Sequence, residues 1–452
     1  MWIVSLLRRS VAARRAAAVA SLLIGFAFLL AAPPHAGYDE NQRQLALDAF
    51  ADGHGFLTKY SLVMPLVALV PYKLADLVGL GDLVRDHFAA LLWIPWCWWT
   101  VRRLTKLRDV RFAIGVVVLT TISMFLPFAS IFNAEAFSLM FVSAGLLCII
   151  EERGRWCTLA GVALLTIGVA NIPAQLFAAG AVGVVYWWKR GTPWIVVSAV
   201  AAFALNLADA SYSLGRLAYS KYDVLVPEAW TFDLLPWGRV HNFGYPFLFG
   251  LLGLTISLGH GVLWHIPAVF LRNAAAPADK VRTWRWTMTG MVAMMFVLYA
   301  KWWAWWGGMT FGARFFLLAV VPAALAICDR VRYARTVTAW AVGALLAMWS
   351  AWVAIVGVLW FITPRSVEMC SSEGFRFYPL CWWVAEYSTL FAPTWDHESL
   401  RLRWIAFAVL MVALVGGAVA INTSQEIRSR LRTMPVQLRT VARRGHAPGT
   451  RR

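Results

Sequence analysis

The chain has 452 residues, 60% of them hydrophobic and 14% charged, with a formal net charge of +18 and a mean hydropathy of +0.64. So few polar residues cannot clothe a soluble protein of this size; the composition predicts an all-α polytopic membrane protein, whose helices satisfy their own backbone groups. The basic residues sit in short clusters between apolar runs, which excludes a nucleic-acid binder and fits positively charged cytoplasmic loops in a lipid bilayer.

A basic head, residues 1–15, carries Arg8, Arg9, Arg14 and Arg15 and precedes an apolar run at 16–32. A cleaved signal peptide has a similar head, but Pro33-Pro34 and the many later spans favour a retained anchor. With the head cytoplasmic, 33–60 is the first outer loop. It holds Asp39, Glu40, Asp48 and Asp52, and its stretch 41–50 has helical composition. Residues 61–80 are apolar but broken by Pro65, Pro71, Lys73 and Asp76. They predict an interfacial or re-entrant helix rather than a span.

Further spans are expected at about 83–101, 112–130, 136–150, 158–170, 174–188 and 194–209. The stretch 102–111 reads as inner, Asn133-Ala134-Glu135 as an outer turn and 210–245 as a long outer segment. Residues 246–258 look too irregular for a simple span, and 261–271 predicts the eighth. Spans at 286–303, 315–327, 337–362 and 404–421 bring the count to twelve, with an outer loop at 363–403. A basic cytoplasmic tail at 422–452 is expected to be disordered. The chain thus divides into the head, a membrane module 16–335, C-terminal helices 336–421 and the tail, with both termini cytoplasmic. Cys370 and Cys381 share the last outer loop, where a disulfide and two free thiols are both open.

Several outer features could carry chemistry. Asp39-Glu40 sits just past a membrane exit, where a carboxylate can deprotonate a hydroxyl or hold a divalent cation; the plainer reading is a helix cap. Lys59 either snorkels to headgroups or touches a lipid phosphate, and Tyr60 closes the loop. Glu135 is either a turn residue facing water or a second acidic site. His241 opens a His- and Gly-bearing stretch whose spacing does not suit zinc. The run 301–314, KWWAWWGGMTFGAR, is the most distinctive. Its Trp305 and Trp306 suit an interfacial belt or a face for a sugar. Gly307-Gly308 and Gly312 suit a tight turn with N–H groups directed at an anion. Arg314 suits bidentate phosphate binding.

At these residues the chain resembles the GT-C class, the bacterial polytopic glycosyltransferases that use polyprenyl-phosphate-linked sugars (family 39-like membrane enzymes). Four stretches carry the resemblance: Tyr38-Asp39-Glu40, KYSLVMPLVALVPY at 59–72, GLLGLTISLGHGVLWHIP at 250–267, and WWAWWGGMTFGARFF at 302–316 followed by Pro322. The resemblance implies an inverting transfer of sugar to a glycan, lipid or protein acceptor at the outer face of the bacterial inner membrane. It maps the catalytic acid onto Asp39, with Glu40 beside it, a second outer acid onto Glu135, and a ligand of the carrier phosphate onto Arg314. Lys59 and Lys301 would add charge at the phosphate, and His241 would join Glu135 toward the acceptor. Tyr60, Trp305, Trp306, Gly307 and Gly308 would touch sugar or carrier. A divalent cation through Asp39 and Glu40 stays open. Two rival readings remain. A flippase for a lipid-linked sugar would bury ionisable groups deep in its spans. An oligosaccharide ligase or polymerase would draw on a diphosphate carrier.

Overall fold

In a computed structural model of the chain, the residues described are 38–55, 60–214, 243–272, 279–302, 304–308, 310–333, 336–359 and 380–391. The expected first and twelfth spans, Lys59, His241, Cys370 and the basic tail lie outside them. Helices and turns make up the described residues, with no strand among them.

The first two helices, α1 (Tyr38–Ala51) and α2 (Val63–Asp76), are short. Helix α2 buries Met64, Pro65 and Ala68 and leaves Leu66, Val70 and Leu74 exposed at a spacing of four, one apolar stripe along the helix. That pattern suits the expected interfacial helix. Helix α3 (Gly81–Leu107) bends at His87, whose backbone leaves helical values and whose ring bonds the Ser130 carbonyl at 2.9 Å.

The expected span at 112–130 is two helices, α4 (Val110–Thr121) and α5 (Phe125–Ala129). Ile122 leaves helical dihedrals there, and the Ser123 hydroxyl bonds the Thr120 carbonyl and the Phe125 N–H. Short polar side chains of this kind offer the backbone an alternative to the helix ladder.

Helix α6 (Ala134–Glu151) is the central element, with almost every residue buried. It packs on α7 (Arg155–Ala170), where Gly145 faces Gly161: a Cβ on Gly145 would lie 2.8 Å from the Gly161 carbonyl oxygen. Small residues allow that approach. Helices α8 (Pro173–Arg190) and α9 (Trp194–Leu214) follow.

One expectation fails between 243 and 272. The stretch 246–258, expected not to form a simple span, holds a ten-residue helix, α10 (Phe247–Ile256), while the expected eighth span is one turn, α11 (Val262–His265), followed by a 3-10 turn (Pro267–Phe270). Pro267 lacks the N–H that a continuing helix would need, and Ile266 leaves helical dihedrals. Helix α12 (Asp279–Lys301) leads to the glycine-rich turn, a 3-10 helix (Arg314–Ala319) and α13 (Val320–Tyr333). Helix α14 (Val337–Leu359) and the single turn α15 (Leu380–Trp383) complete the described chain. Among the described residues, two stretches, Ala134–Glu151 and Thr338–Val358, are long and apolar enough to cross a membrane, beside four shorter apolar helices.

A small second core fixes α1. Leu47 packs with Met64, Ala68, Val84, Phe88, Phe132, Ala134 and Phe137, so α1 is clamped to α2, α3 and the start of α6. Leu47 is completely buried. Leu47→Ala is therefore expected to cost about 2–5 kcal/mol, the usual range for such a cavity. A lowered thermal midpoint in detergent, against an exposed control such as Leu45→Ala, checks this.

Candidate active site

Four segments meet at one end of the bundle: the start of α1, Tyr60, the start of α6, and Arg314 at the end of the glycine-rich turn. Asp39 lies in the first turn of α1. Its Oδ2 accepts a 2.7 Å hydrogen bond from Arg314 Nη2, an ion pair spanning 275 residues of chain. Its Oδ1 accepts a hydrogen bond from the Tyr60 hydroxyl. Burial pushes the Asp39 carboxyl up. The Arg314 charge, the Tyr60 hydrogen bond and the nearby Arg43 charge outweigh it and hold the group below the ordinary 3.8. The Tyr60 hydroxyl is pushed up by its burial and by the Asp39 carboxylate, so it stays protonated and donating.

Glu40 turns the other way. It is 2% exposed, and its Oε1 accepts from Asn133 Nδ2 at 3.0 Å. Asn133 also caps α6, its Oδ1 accepting from the Ala136 N–H at 2.8 Å. Asn171 pins the same corner, donating to the Ala134 carbonyl and the Ser138 hydroxyl. The turn Asn133-Ala134-Glu135 is thus buried, and the water-facing reading of Glu135 is overturned. One Glu135 oxygen lies 3.9 Å from Arg314 Nε, an ion pair too long for a hydrogen bond.

Arg43 was not legible as a site residue. It sits one turn along α1, donates to the Asp39 carbonyl at 3.3 Å, and lies 4.7 Å over the Tyr60 ring. The signal was present as an Asp–Arg pair at i and i+4, which share a helix face. Extending the helix back from residue 41 to Tyr38 would have exposed it. The cluster holds three carboxylates and two guanidinia. Four of its buried polar atoms, Glu40 Oε2, Arg43 Nε, Glu135 Oε2 and Arg314 Nε, have no hydrogen-bond partner among the described residues. Buried orphan atoms gathered in one place are unusual in a structural network and expected at a working site.

The glycine-rich turn explains the lie of Arg314. Gly307 and Gly308 both have left-handed φ, +82° and +84°. A Cβ on Gly307 would stand 3.1 Å from Arg314 Nε, so a side chain there would push the guanidinium aside. The Gly307 N–H does not serve an anion as expected; it donates to the Ala304 carbonyl at 3.1 Å and closes the turn. His260 fastens the other end of the loop, its Nδ1 lying 2.9 Å from the Gly312 carbonyl. A carbonyl oxygen only accepts, so that nitrogen carries the proton.

Other expected site residues fall differently. Trp305 and Trp306 are each 2% exposed and pack on Trp382, so they present no open face to a sugar. Lys301 is exposed at the end of α12, and no hydrogen bond or ion pair joins it to the cluster among the described residues. Asp39 and Glu40 point to different partners, and no group of three metal-binding side chains is found among the described residues. Both Asp39 oxygens are engaged by Tyr60 and Arg314, so this donor set does not fit a cation without displacing the arginine.

No family model and no curated protein matches the chain. Among solved structures it is similar to the crystal structure of ArnT from Cupriavidus metallidurans in the apo state, with 12% identity, a TM-score of 0.46, and coverage of 90% of this chain and 77% of that one. The same protein bound to undecaprenyl phosphate gives 13% identity, a TM-score of 0.47, and coverage of 94% and 80%. At these scores the likeness identifies neither a family nor an activity.

Proposed function

We propose that this chain is a membrane glycosyltransferase of the GT-C type, moving a sugar from a polyprenyl-phosphate carrier to an acceptor hydroxyl at the outer face of the inner membrane. The observation that carries the reading is the direct contact of Asp39 with Arg314 at a buried site. It places a carboxylate able to take a proton beside a guanidinium able to take a phosphate. Arg43 adds a second positive charge one helical turn away.

In the proposed reaction the acceptor oxygen attacks the anomeric carbon and the bond from that carbon to the carrier phosphate oxygen breaks. The acceptor proton passes to Asp39, and the electron pair leaves with the phosphate, whose charge Arg314 stabilises. A phosphate departs without protonation, so one base suffices, unlike glycoside hydrolysis with its two carboxylates. Glu40 and Glu135 hold the frame. Glu40 anchors α1 to the α6 cap, and Glu135 backs Arg314 as its second carboxylate neighbour.

A flippase reading has less support. Among the described residues, the buried charged side chains gather toward the helix ends, with Glu40, Arg43, Glu135 and Arg314 in one cluster and Glu151, Arg285 and Asp329 elsewhere. A translocation path would need them along the middle of the bundle.

The test is transfer by the purified protein in detergent, offered a panel of polyprenyl-phosphate and polyprenyl-diphosphate sugars with an envelope extract as acceptor. Product from a monophosphate donor supports the reading, and product only from diphosphates moves it to the ligase class. Translocation in liposomes without transfer overturns it.

One pH prediction follows from the geometry. A base works only when deprotonated, and Asp39 is held below 3.8 in the resting site. Loss of its charge should therefore not lower kcat/KM between roughly pH 5 and 7, because that parameter reports the free enzyme. When Arg314 turns to the carrier phosphate, Asp39 loses its main partner. The acid limb of kcat should then lie at higher pH than that of kcat/KM. Coincident limbs would count against this exchange of partners.

A further inference from the structure

We propose that Trp382 is a positioning residue for Arg314, and that the segment 380–391 forms the back wall of the donor-phosphate site. The proposal rests on the reading of Arg314 as the carrier-phosphate ligand. The segment is far from the site in sequence, and its own sequence offers no motif. Several independent contacts bring it there.

Trp382 is fully buried. Its ring stacks on Trp306 at 4.5 Å and 29°, and meets Trp305 edge-on at 5.0 Å and 61°. The backbone is docked as well. The Gly259 N–H donates to the Trp382 carbonyl at 3.1 Å, and the Ser388 hydroxyl donates to the Leu258 carbonyl at 2.8 Å. The fit at Gly259 is tight: a Cβ there would lie 2.4 Å from the Cys381 carbonyl oxygen. At the far end of the segment, Phe391 packs edge-on against Trp264 at 5.9 Å.

What the wall supports is the turn that aims the arginine. Trp306 runs directly into Gly307 and Gly308, which have no side chains of their own to hold their left-handed backbone. Glycine loses the most freedom on ordering, so such a turn is fixed by what packs against it. Here the Gly307–Ala304 hydrogen bond and the Phe315 ring hold the turn itself, and the Trp306–Trp382 stack anchors the residue that leads into it. Arg314 lies across the turn, with Nε 3.1 Å from the place a Gly307 Cβ would occupy. A slack turn would let the guanidinium drift, and misplacement by about 1 Å can cost 10²-fold in a reaction that depends on alignment.

The experiment uses the full chain in detergent and undecaprenyl phosphate as probe, with binding followed by microscale thermophoresis and donor kinetics measured alongside. Trp382→Ala is expected to weaken binding about 10- to 100-fold and raise the donor KM. Trp382→Phe, which keeps an aromatic stack, is expected to stay within about threefold of the wild type. Arg314→Ala is the reference and should lose binding. A folded Trp382→Ala that binds like the wild type while Arg314→Ala does not would overturn the proposal. Full binding by Arg314→Ala would instead remove the donor-site reading and this proposal with it. If Trp382→Ala does not fold, Gly259→Ala serves in its place, since its Cβ would lie 2.4 Å from the Cys381 carbonyl oxygen and push the segment off. It should weaken binding, and unchanged binding by folded, monodisperse Gly259→Ala would overturn the role of the wall.

Discussion

Asp39→Asn is expected to lower sugar transfer by about 10²- to 10⁴-fold, the usual contribution of a positioned base, while leaving the protein folded. The reason lies in the hydrogen bonds. The amide oxygen of Asn can still accept from Tyr60 or from Arg314, so the corner keeps its shape. The lost negative charge frees Arg314 from a competitor for the carrier phosphate. Donor binding should therefore hold or tighten as kcat falls. That opposite movement separates a base from a structural carboxylate, because loss of a structural residue weakens binding and turnover together. Binding isotherms with undecaprenyl phosphate and initial rates on the same preparation decide it. Parallel loss of both would assign Asp39 to the frame and move the search for the base to Glu135.

Arg314→Ala should have the second large effect, on stability as well as activity. The guanidinium is buried between Asp39 and Glu135, so its removal strands two carboxylates. Breaking a buried pair from one side costs about 3–5 kcal/mol. Transfer should fall by about 10²- to 10³-fold, as for loss of a donor aimed at developing charge. Arg314→Lys keeps the charge without the planar fork and should fold, yet recover little activity. The double variant Asp39→Asn/Arg314→Ala should melt above Arg314→Ala alone, because one stranded carboxylate has been neutralised. A strictly additive loss would mean that the two residues do not couple.

Much of this site was legible in the sequence. Acidic residues just past an apolar run, a lone Glu at a short turn, and an Arg after two glycines are each costly features beside a membrane. They pointed to Asp39, Glu40, Glu135 and Arg314, which converge in the structure. What stayed hidden depended on side-chain direction or on distant packing. Arg43 looked like one more polar residue until α1 was seen to begin at Tyr38. Trp305 and Trp306 looked like an interfacial belt because composition cannot tell a tryptophan facing lipid from one stacked on Trp382. The same ambiguity affected the fold. An apolar stretch reads alike whether it spans a membrane or folds back, and only Pro267 and the neighbouring glycines hinted that 261–271 is no continuous helix.

The Asp39–Arg314 pair also sets an order of assembly. At about 5–20 residues per second of synthesis, the 275 residues between the partners take roughly 14–55 s to make. Throughout that interval the segment around Asp39 can fold on its own terms: Arg43 is already beside Asp39, and the Glu40–Asn133 bond needs only the first third of the chain. Arg314, the largest of the influences that hold Asp39 below its ordinary value, arrives last. A ribosome-bound intermediate therefore carries the acid without its arginine, and the proposed site is complete only when the glycine-rich turn has emerged and docked. Truncations that stop before Arg314 should leave a chain whose α1 is shaped but inert.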